Sequence, residues 1–440
     1  MGVTSIIRAL GMEPSLYENL LHFFRAESWS IEGLRKRWIS VVYTSGLVYH
    51  VYGRPLLIAD GVKQSKEGRK MPGVKKLVQE SENSGKAQYI HGHMFGAVGV
   101  LIGTPMKWFC TLLSLRIHDG NEVIGKWTGD ESAEESHVVR TINEACEIAS
   151  VTEQSLLTLD RYYLTVPAME TLAENEGKYG TGVVSIVTKA KINAKAFRKP
   201  EEKKTPGRPR KKGEEVKVRE LFETEIFQSA ELTIYGKKQT VEFAVIDLLW
   251  GKKLYRELRF VLVKKFNGGS DAILVSTDLN LSPEQIIEIY ALRFKIECSF
   301  RELKQVIFGF TYRFWSKAMP RLSRFAKNEK MSEQLNAVQK EKEKSAIIKT
   351  FNAIEGFAMF SIIAFGLIQM GSLLFSNEIN ASAFRWLRTK RNIISSEATT
   401  ADFLRKTILN TLHFSPDLDI NLFIINAQSP RNSTTDNTAV

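Results

Sequence analysis

Residues 282–308 read SPEQIIEIYALRFKIECSFRELKQVIF, and this stretch decides the fold. Ser282 is placed to accept a hydrogen bond from a free amide of the first turn, Pro283 suits the first helical position, and Gln285 completes a capping box. The spacing predicts one helix from Ser282 to about Phe308. At about 100° per residue, Ile289, Leu292, Ile296, Phe300, Leu303 and Ile307 line one narrow apolar stripe. Tyr290, Arg293, Glu297 and Lys304 line a second, about 60° of arc wide and roughly a quarter-turn away. A core-facing helix thus carries a tyrosine, two cations and a carboxylate along the edge of its buried face. There a group is held rigidly and still reaches a substrate. Arg293–Glu297 and Glu297–Arg301 are also spaced for ordinary helix ion pairs, worth a few tenths of a kcal/mol each. The helix alone leaves both readings open.

The chain of 440 residues is long enough to bury a large core and to hold roughly two or three domains. Its formal net charge of +12 and pI near 9.4 favour a polyanionic partner, nucleic acid before a membrane surface. Cys110, Cys146 and Cys298 form no CxxC pair. They indicate neither a disulfide framework nor a cysteine zinc site, and a reducing cytosol is the natural compartment. The N-terminus lacks the pattern of a signal peptide. Gly356–Phe375 is about long enough to cross a bilayer. Ser361, Gln369 and Ser372 interrupt it and three glycines dilute it, so a buried C-terminal helix behind a sheet is the expectation.

Upstream, residues 55–61 (PLLIADG) read as a buried strand ending at Asp60, with a turn aspartate as the ordinary alternative. A basic loop follows, then two strands, Gln88–Ile102 and Met106–Ile117. His91 and His93 share a face of the first, without a third ligand at metal-site spacing. Ser132–Ala149 has the pattern of an amphipathic helix. Ser155–Leu159 repeats the strand-then-acid arrangement, closing on Asp160, and Gly182–Val187 reads as another central strand. Strands alternating with helices in this order indicate a mixed α/β sheet.

Lys195–Lys212 holds nine Lys or Arg against two Glu, with three prolines. Its Gly207-Arg208-Pro209-Arg210 resembles an AT-hook, whose arginines enter narrow minor grooves. A basic loop meeting phosphates without sequence preference is an equal reading. Val216–Lys265 reads as an antiparallel β-rich insertion, in which Trp250 suits core packing. Ala272–Thr277 returns to a buried strand that feeds the helix. Arg35, Lys36 and Arg37 form a basic patch in a helical N-terminal region, available to DNA or simply solvated. Arg313–Lys349 is basic and expected to be helical in part.

The helix spacing, Tyr290, Arg293, Glu297 and Lys304, resembles the YREK signature of bacterial insertion-sequence transposases of the DDE class. The Asp60-Gly61 strand and the Asp160-Arg161-x-Tyr163 strand end are similar to that family's two earlier motif blocks, in order, over roughly residues 55–320. The acids stand 100 and 137 positions apart. The longer gap accommodates the β-rich run. The resemblance implies an RNase H-like mixed sheet flanked by helices, with a β-rich insertion before the catalytic helix. It implies Asp60, Asp160 and Glu297 as catalytic metal ligands for two Mg²⁺ ions, with Mn²⁺ able to substitute. Tyr290, Arg293 and Lys304 would hold DNA phosphates, with Arg161, Arg208 and Arg210 as further DNA contacts. It further implies cleavage at the terminal inverted repeats of the protein's own element, joining of the 3′ ends to target DNA, and a homodimer in the synaptic complex. The setting would be the bacterial cytoplasm and nucleoid, without a membrane.

The organisation expected from these features is a helical region over 1–50, a core over 51–190, and a basic loop with β-rich insertion over 191–270. The core resumes over 271–320, a helical region covers 321–427, and 428–440 has the composition of a disordered tail. A DNA-binding protein without catalysis, a decayed or repurposed transposase, is the alternative. A membrane-anchored protein is a third reading.

Overall fold

The computed structural model describes residues 3–79, 85, 88–201, 210–322, 334–382, 394–414, 422 and 424. The chain opens with helices α1 (Val3–Leu10), α2 (Leu16–Arg25) and α3 (Ile31–Thr44). The first strands follow: β1 (His50–Val51), β2 (Arg54–Ser65), β3 (Lys75–Val78), β4 (Tyr89–Thr104) and β5 (Lys107–Asp119). Helix α4 (Glu122–Thr128) and α5 (His137–Val151) lead to β6 (Ser155–Thr158), α6 (Val166–Tyr179) and β7 (Val184–Lys189). The remaining strands are β8 (Lys195–Phe197), β9 (Glu215–Lys217), β10 (Gln228–Ile234), β11 (Lys237–Trp250), β12 (Arg256–Val263) and β13 (Ala272–Ser276), with the short α7 (Leu221–Thr224) between β9 and β10.

The fold is α/β, as expected. Strands β2, β6 and β7 are parallel neighbours, and β4 and β5 extend the sheet antiparallel beyond β2. This is the RNase H-like arrangement. The β-rich run does not form a separate sheet. Strand β13 pairs antiparallel with β7, β12 with β13, and β11 with β12, so the described strands join one sheet of 13. The β-rich insertion is thus continuous with the core through backbone hydrogen bonds.

Successive residues of a strand face opposite layers. On β5, Ser114 donates to Glu144 of α5, whereas Thr111 donates to Gln369 at 2.7 Å. Gln369 belongs to α10 (Glu341–Leu374), so α5 covers one face and α10 the other. The polar interruptions that argued against a membrane span are satisfied inside the protein. Ser361 donates to the Phe357 carbonyl, Gln369 also donates to Glu397 of a later helix, and Ser372 pairs with Thr400 at 2.6 Å. A Cβ on Gly356 would lie 2.6 Å from the Trp29 ring, and one on Gly366 2.3 Å from that of Trp38. These glycines admit tryptophans. By length and composition α10 could cross a bilayer, but 56% of its most apolar window is buried within the protein. It begins at Glu341, earlier than expected, while residues 323–333 and 428–440 lie outside the described residues.

The predicted helix starts where expected. Ser282 accepts from the Gln285 amide at 3.3 Å, and the Gln285 side chain accepts from the Ser282 amide at 2.9 Å. It is not one continuous helix, however. α8 (Pro283–Leu292) and α9 (Phe294–Glu302) meet at Arg293, where i→i+3 bonds replace the regular ladder. A π-helical turn, Leu303–Ile307, then widens the coil. A further correction concerns the N-terminal patch. Arg35 is only 3% exposed and pairs with Glu32 and Glu147 at 2.9 and 2.8 Å, leaving Lys36 and Arg37 exposed.

Candidate active site

Asp60 does not sit at a strand's C-terminal lip. Strand β2 continues to Ser65, but its parallel pairing with β6 covers only Leu56–Ile58. Asp60 therefore lies just past the end of that pairing, where the sheet opens. Its carboxylate accepts from the Gly61 amide at 2.7 Å and from Arg293 at 3.2 Å. Burial pushes its pKa up to about 6; Arg293 and the Gly61 amide oppose the rise, while Asp160 and Glu297 add to it. The structure thus brings the three expected acids into electrostatic contact.

Asp160 follows β6 and opens a 3₁₀ turn, Arg161–Tyr163, without capping it. Its carbonyl accepts from the Thr188 hydroxyl at 2.9 Å, which ties the turn to β7. Among the described residues its carboxylate accepts no hydrogen bond. Glu297, on α9, accepts from Arg293 at 2.5 Å.

Arg293 is the hub. Burial lowers its proton affinity, but Asp60, Tyr290, Glu297 and Asp160 together raise it. Tyr290 is buried beside it, and burial pushes the phenol up to about 12, against the effect of Arg293. The phenol of Tyr235 also feels Arg293 and Glu297. Tyr235 and Gly236 are the two turn residues of the β10–β11 hairpin, with φ of 52° and 75°. This left-handed pair matches the twist of a tight hairpin, although φ > 0 strains a tyrosine. The ring meets Phe294 edge-on at 6.3 Å, placing the hairpin tip against the helix at the site.

Beneath Asp60, on the opposite face of β2, lies a network that the sequence did not signal. Gly61 and Gly96 are register partners on β2 and β4. A Cβ on Gly61 would come 2.9 Å from the His137 ring, and one on Gly96 2.1 Å from that of His118. The two histidines, with the Met94 methyl at Gly61, fill the space the glycines leave, and their Nδ1 atoms lie 2.9 Å apart. His137 Nε2 bonds the Tyr163 hydroxyl at 2.7 Å. Burial first, then the Asp60 charge, raises the Tyr163 pKa. The only sequence hint was Tyr163 in Asp160-Arg161-x-Tyr163; no periodicity points to a lone histidine at the start of α5.

Other expected contacts lie elsewhere. Lys304 falls in the π turn, exposed, with its ammonium 5.8 Å from the Phe310 ring centroid. Its proton affinity is lowered by burial alone, with no contribution from the acids. A π turn changes the angular step at this last member of the stripe. Arg161 stacks over Tyr162 at 5.2 Å and lines a groove beside the acids. Arg208 lies outside the described residues, and Arg210 is exposed.

Three carboxylates suit a hard divalent cation, which prefers oxygen ligands. Among the described residues, however, no group of three or more His, Cys, Asp or Glu side chains is arranged to hold a metal ion. Arg293 stands among the three acids as their counter-charge. The donor chemistry fits and the spacing is open.

Residues 113–318 match the family model described as the transposase DDE domain. The chain carries a DDE-type transposase domain. No curated protein matches the chain. The matched span begins within β5 and contains Asp160 and Glu297, while Asp60 lies before it. A DDE domain places the protein in DNA transposition and recombination, the work of mobile elements, on DNA and generally with divalent metal ions.

Proposed function

We propose that this protein cleaves DNA at the terminal inverted repeats of its own insertion sequence and joins the freed 3′ ends to target DNA. The observation that carries the reading is the gathering of Asp60, Asp160 and Glu297 around Arg293, all but Asp60 lying within the span that matches a transposase DDE domain. Asp60 and Asp160 would be the principal ligands of Mg²⁺ or Mn²⁺, and Glu297 a ligand of the second ion. Two such ions, when bound, activate an attacking oxygen and stabilise a leaving one in phosphoryl displacement. The chain's own groups do the rest. Arg293, whose planar guanidinium suits a phosphate, would be free to meet one wherever cations took its place beside the carboxylates. Tyr290 offers a hydroxyl beside it, and both stabilise charge developing on the reacting phosphate. Lys304 holds a phosphate farther along the DNA. The working form is a homodimer on two element ends, in the bacterial cytoplasm.

Asp60→Asn, Asp160→Asn and Glu297→Gln are each expected to abolish Mg²⁺-dependent cleavage of DNA carrying the element's ends, with DNA binding retained. Full cleavage by the Glu297→Gln protein would sink the assignment. A second reading, a DNA-binding protein without chemistry, is favoured by the open spacing of the carboxylates. Wild-type protein that binds element ends yet never nicks them with Mg²⁺ or Mn²⁺ would establish it.

A further inference from the structure

A groove of about 1140 Å³ opens beside Asp160. Four segments far apart in sequence form its walls: the turn after β6, the loop after β7, the Val218–Thr224 turn, and the β12–β13 connection. They contribute Arg161, Lys189, Lys191, Arg219, Lys264 and Lys265, against only Glu223 and Asp271. Asp271 is engaged by the Lys265 amide at 3.0 Å. Among the described residues Lys264 pairs with Glu242 at 3.6 Å, whereas no salt bridge involves Lys189, Lys191 or Arg219. Convergence of so many cations costs free energy through mutual repulsion, and burial together with Arg161 holds Lys189 below the usual lysine range. A surface built this way is stabilised by a polyanion.

The groove also has apolar and aromatic walls. Tyr162, Ile192, Phe222 and Ile273 line it, and Tyr162 and Ile192 are exposed. Arg161 and Lys191 approach the same Tyr162 ring, at 5.2 and 6.0 Å from its centroid. Cations that follow a backbone, combined with aromatic faces, suit a nucleic acid strand better than a small anion. The groove is continuous with the acids. Arg161 directly follows Asp160, and Lys189 follows Thr188, whose hydroxyl holds the Asp160 carbonyl.

We infer that this groove carries the phosphate backbone of DNA leaving the reacting phosphate, held without regard to sequence by Lys191 and Arg219. The inference rests on the DNA-processing reading above and names the path of the strand next to the acids. Each phosphate that a cation neutralises releases condensed counterions, so the contribution of the groove weakens as salt rises.

The test uses full-length protein with the Glu297→Gln change, so that DNA stays intact, and a duplex of about 30 bp of arbitrary sequence, long enough to span several phosphates held by the groove. Lys191→Glu with Arg219→Glu alters exposed side chains and reverses two charges. Lys340→Glu with Lys342→Glu, at the exposed start of α10, makes the same change in net charge. The groove variant is expected to bind about tenfold or more weakly, and its salt slope to fall by about 2, one for each phosphate left without its cation. The α10 variant should match the parent. Equal affinity in the groove variant, or equal weakening in both variants, overturns the inference. Should the groove variant fail to fold by circular dichroism, Lys191→Gln with Arg219→Gln replaces it under the same criteria. Cleavage by the unmodified protein is scored separately, so failure of the catalytic reading leaves the binding result intact.

Discussion

Gly96 shows how a residue without a side chain places others that have them. Its missing Cβ is the space in which His118 sits, and its register partner Gly61 does the same for His137. Gly96→Ala forces the His118 ring from a closely packed site and is expected to destabilise the fold by about 1–3 kcal/mol, read as a lowered Tm. His137→Ala leaves the Tyr163 hydroxyl and a His118 nitrogen without their partner. Buried polar groups so orphaned cost about 1–3 kcal/mol, and the loss is expected in denaturant unfolding. At this scale the sequence was half legible. Asp60 was readable because an acid closing an apolar run is unusual. The glycine after it looked like a turn residue, since the histidine it accommodates arrives 76 positions later. Contacts made across a sheet leave no local trace.

Among elements, the helix beginning at Ser282 was the most legible, because capping chemistry is local. Ser282→Ala removes an acceptor from the first turn and is expected to reduce stability by about 0.5–2 kcal/mol, with Ser282→Thr largely retaining it. Thermal unfolding of the pair of variants checks this. The interior of the same segment was less legible. A uniform 100° step predicted Tyr290, Arg293 and Glu297 on one edge, and these three do gather at the acids. It could not foresee the change in hydrogen bonding at Arg293 or the π turn that contains Lys304. The long C-terminal helix illustrates the reverse. Its serines, glutamine and glycines looked like dilution of an apolar run, yet Gln369, Ser372, Gly356 and Gly366 each have a specific partner supplied by tertiary structure.

At the scale of the whole molecule, His93 and His118 are buried and His137 is half-buried among the described residues. His93 donates from Nε2 to the Pro72 carbonyl at 2.9 Å and accepts from the Tyr312 hydroxyl at 2.6 Å. Burial pulls its pKa down to about 3 and that of His137 to about 4, and His118 is also held well below its ordinary value. In the unfolded chain each titrates near pH 6.5. The unfolded state therefore binds more protons below pH 6.5. The stability these groups provide is complete above that pH and is lost as pH falls toward 4 and 3, by on the order of 1 kcal/mol per histidine per pH unit. Urea unfolding midpoints at pH 7, 6 and 5 should fall in that order, and His93→Gln should flatten the trend. The mixed sheet was expected from alternating strands and helices, and Ala272–Thr277 was expected to return to the core, whereas the continuation of the sheet through β12 and β11 was not, because strand pairing is decided by partners distant in sequence. The pairing of β13 with β7 carries a consequence for synthesis. Strand β7 is complete at Lys189, and the strand that covers its outer edge begins only at Ala272. At roughly 5–20 residues per second, a growing chain spends about 4–17 s with a finished but uncovered strand at its margin. Fragments stopped in that interval are the ones expected to stick to one another edge to edge.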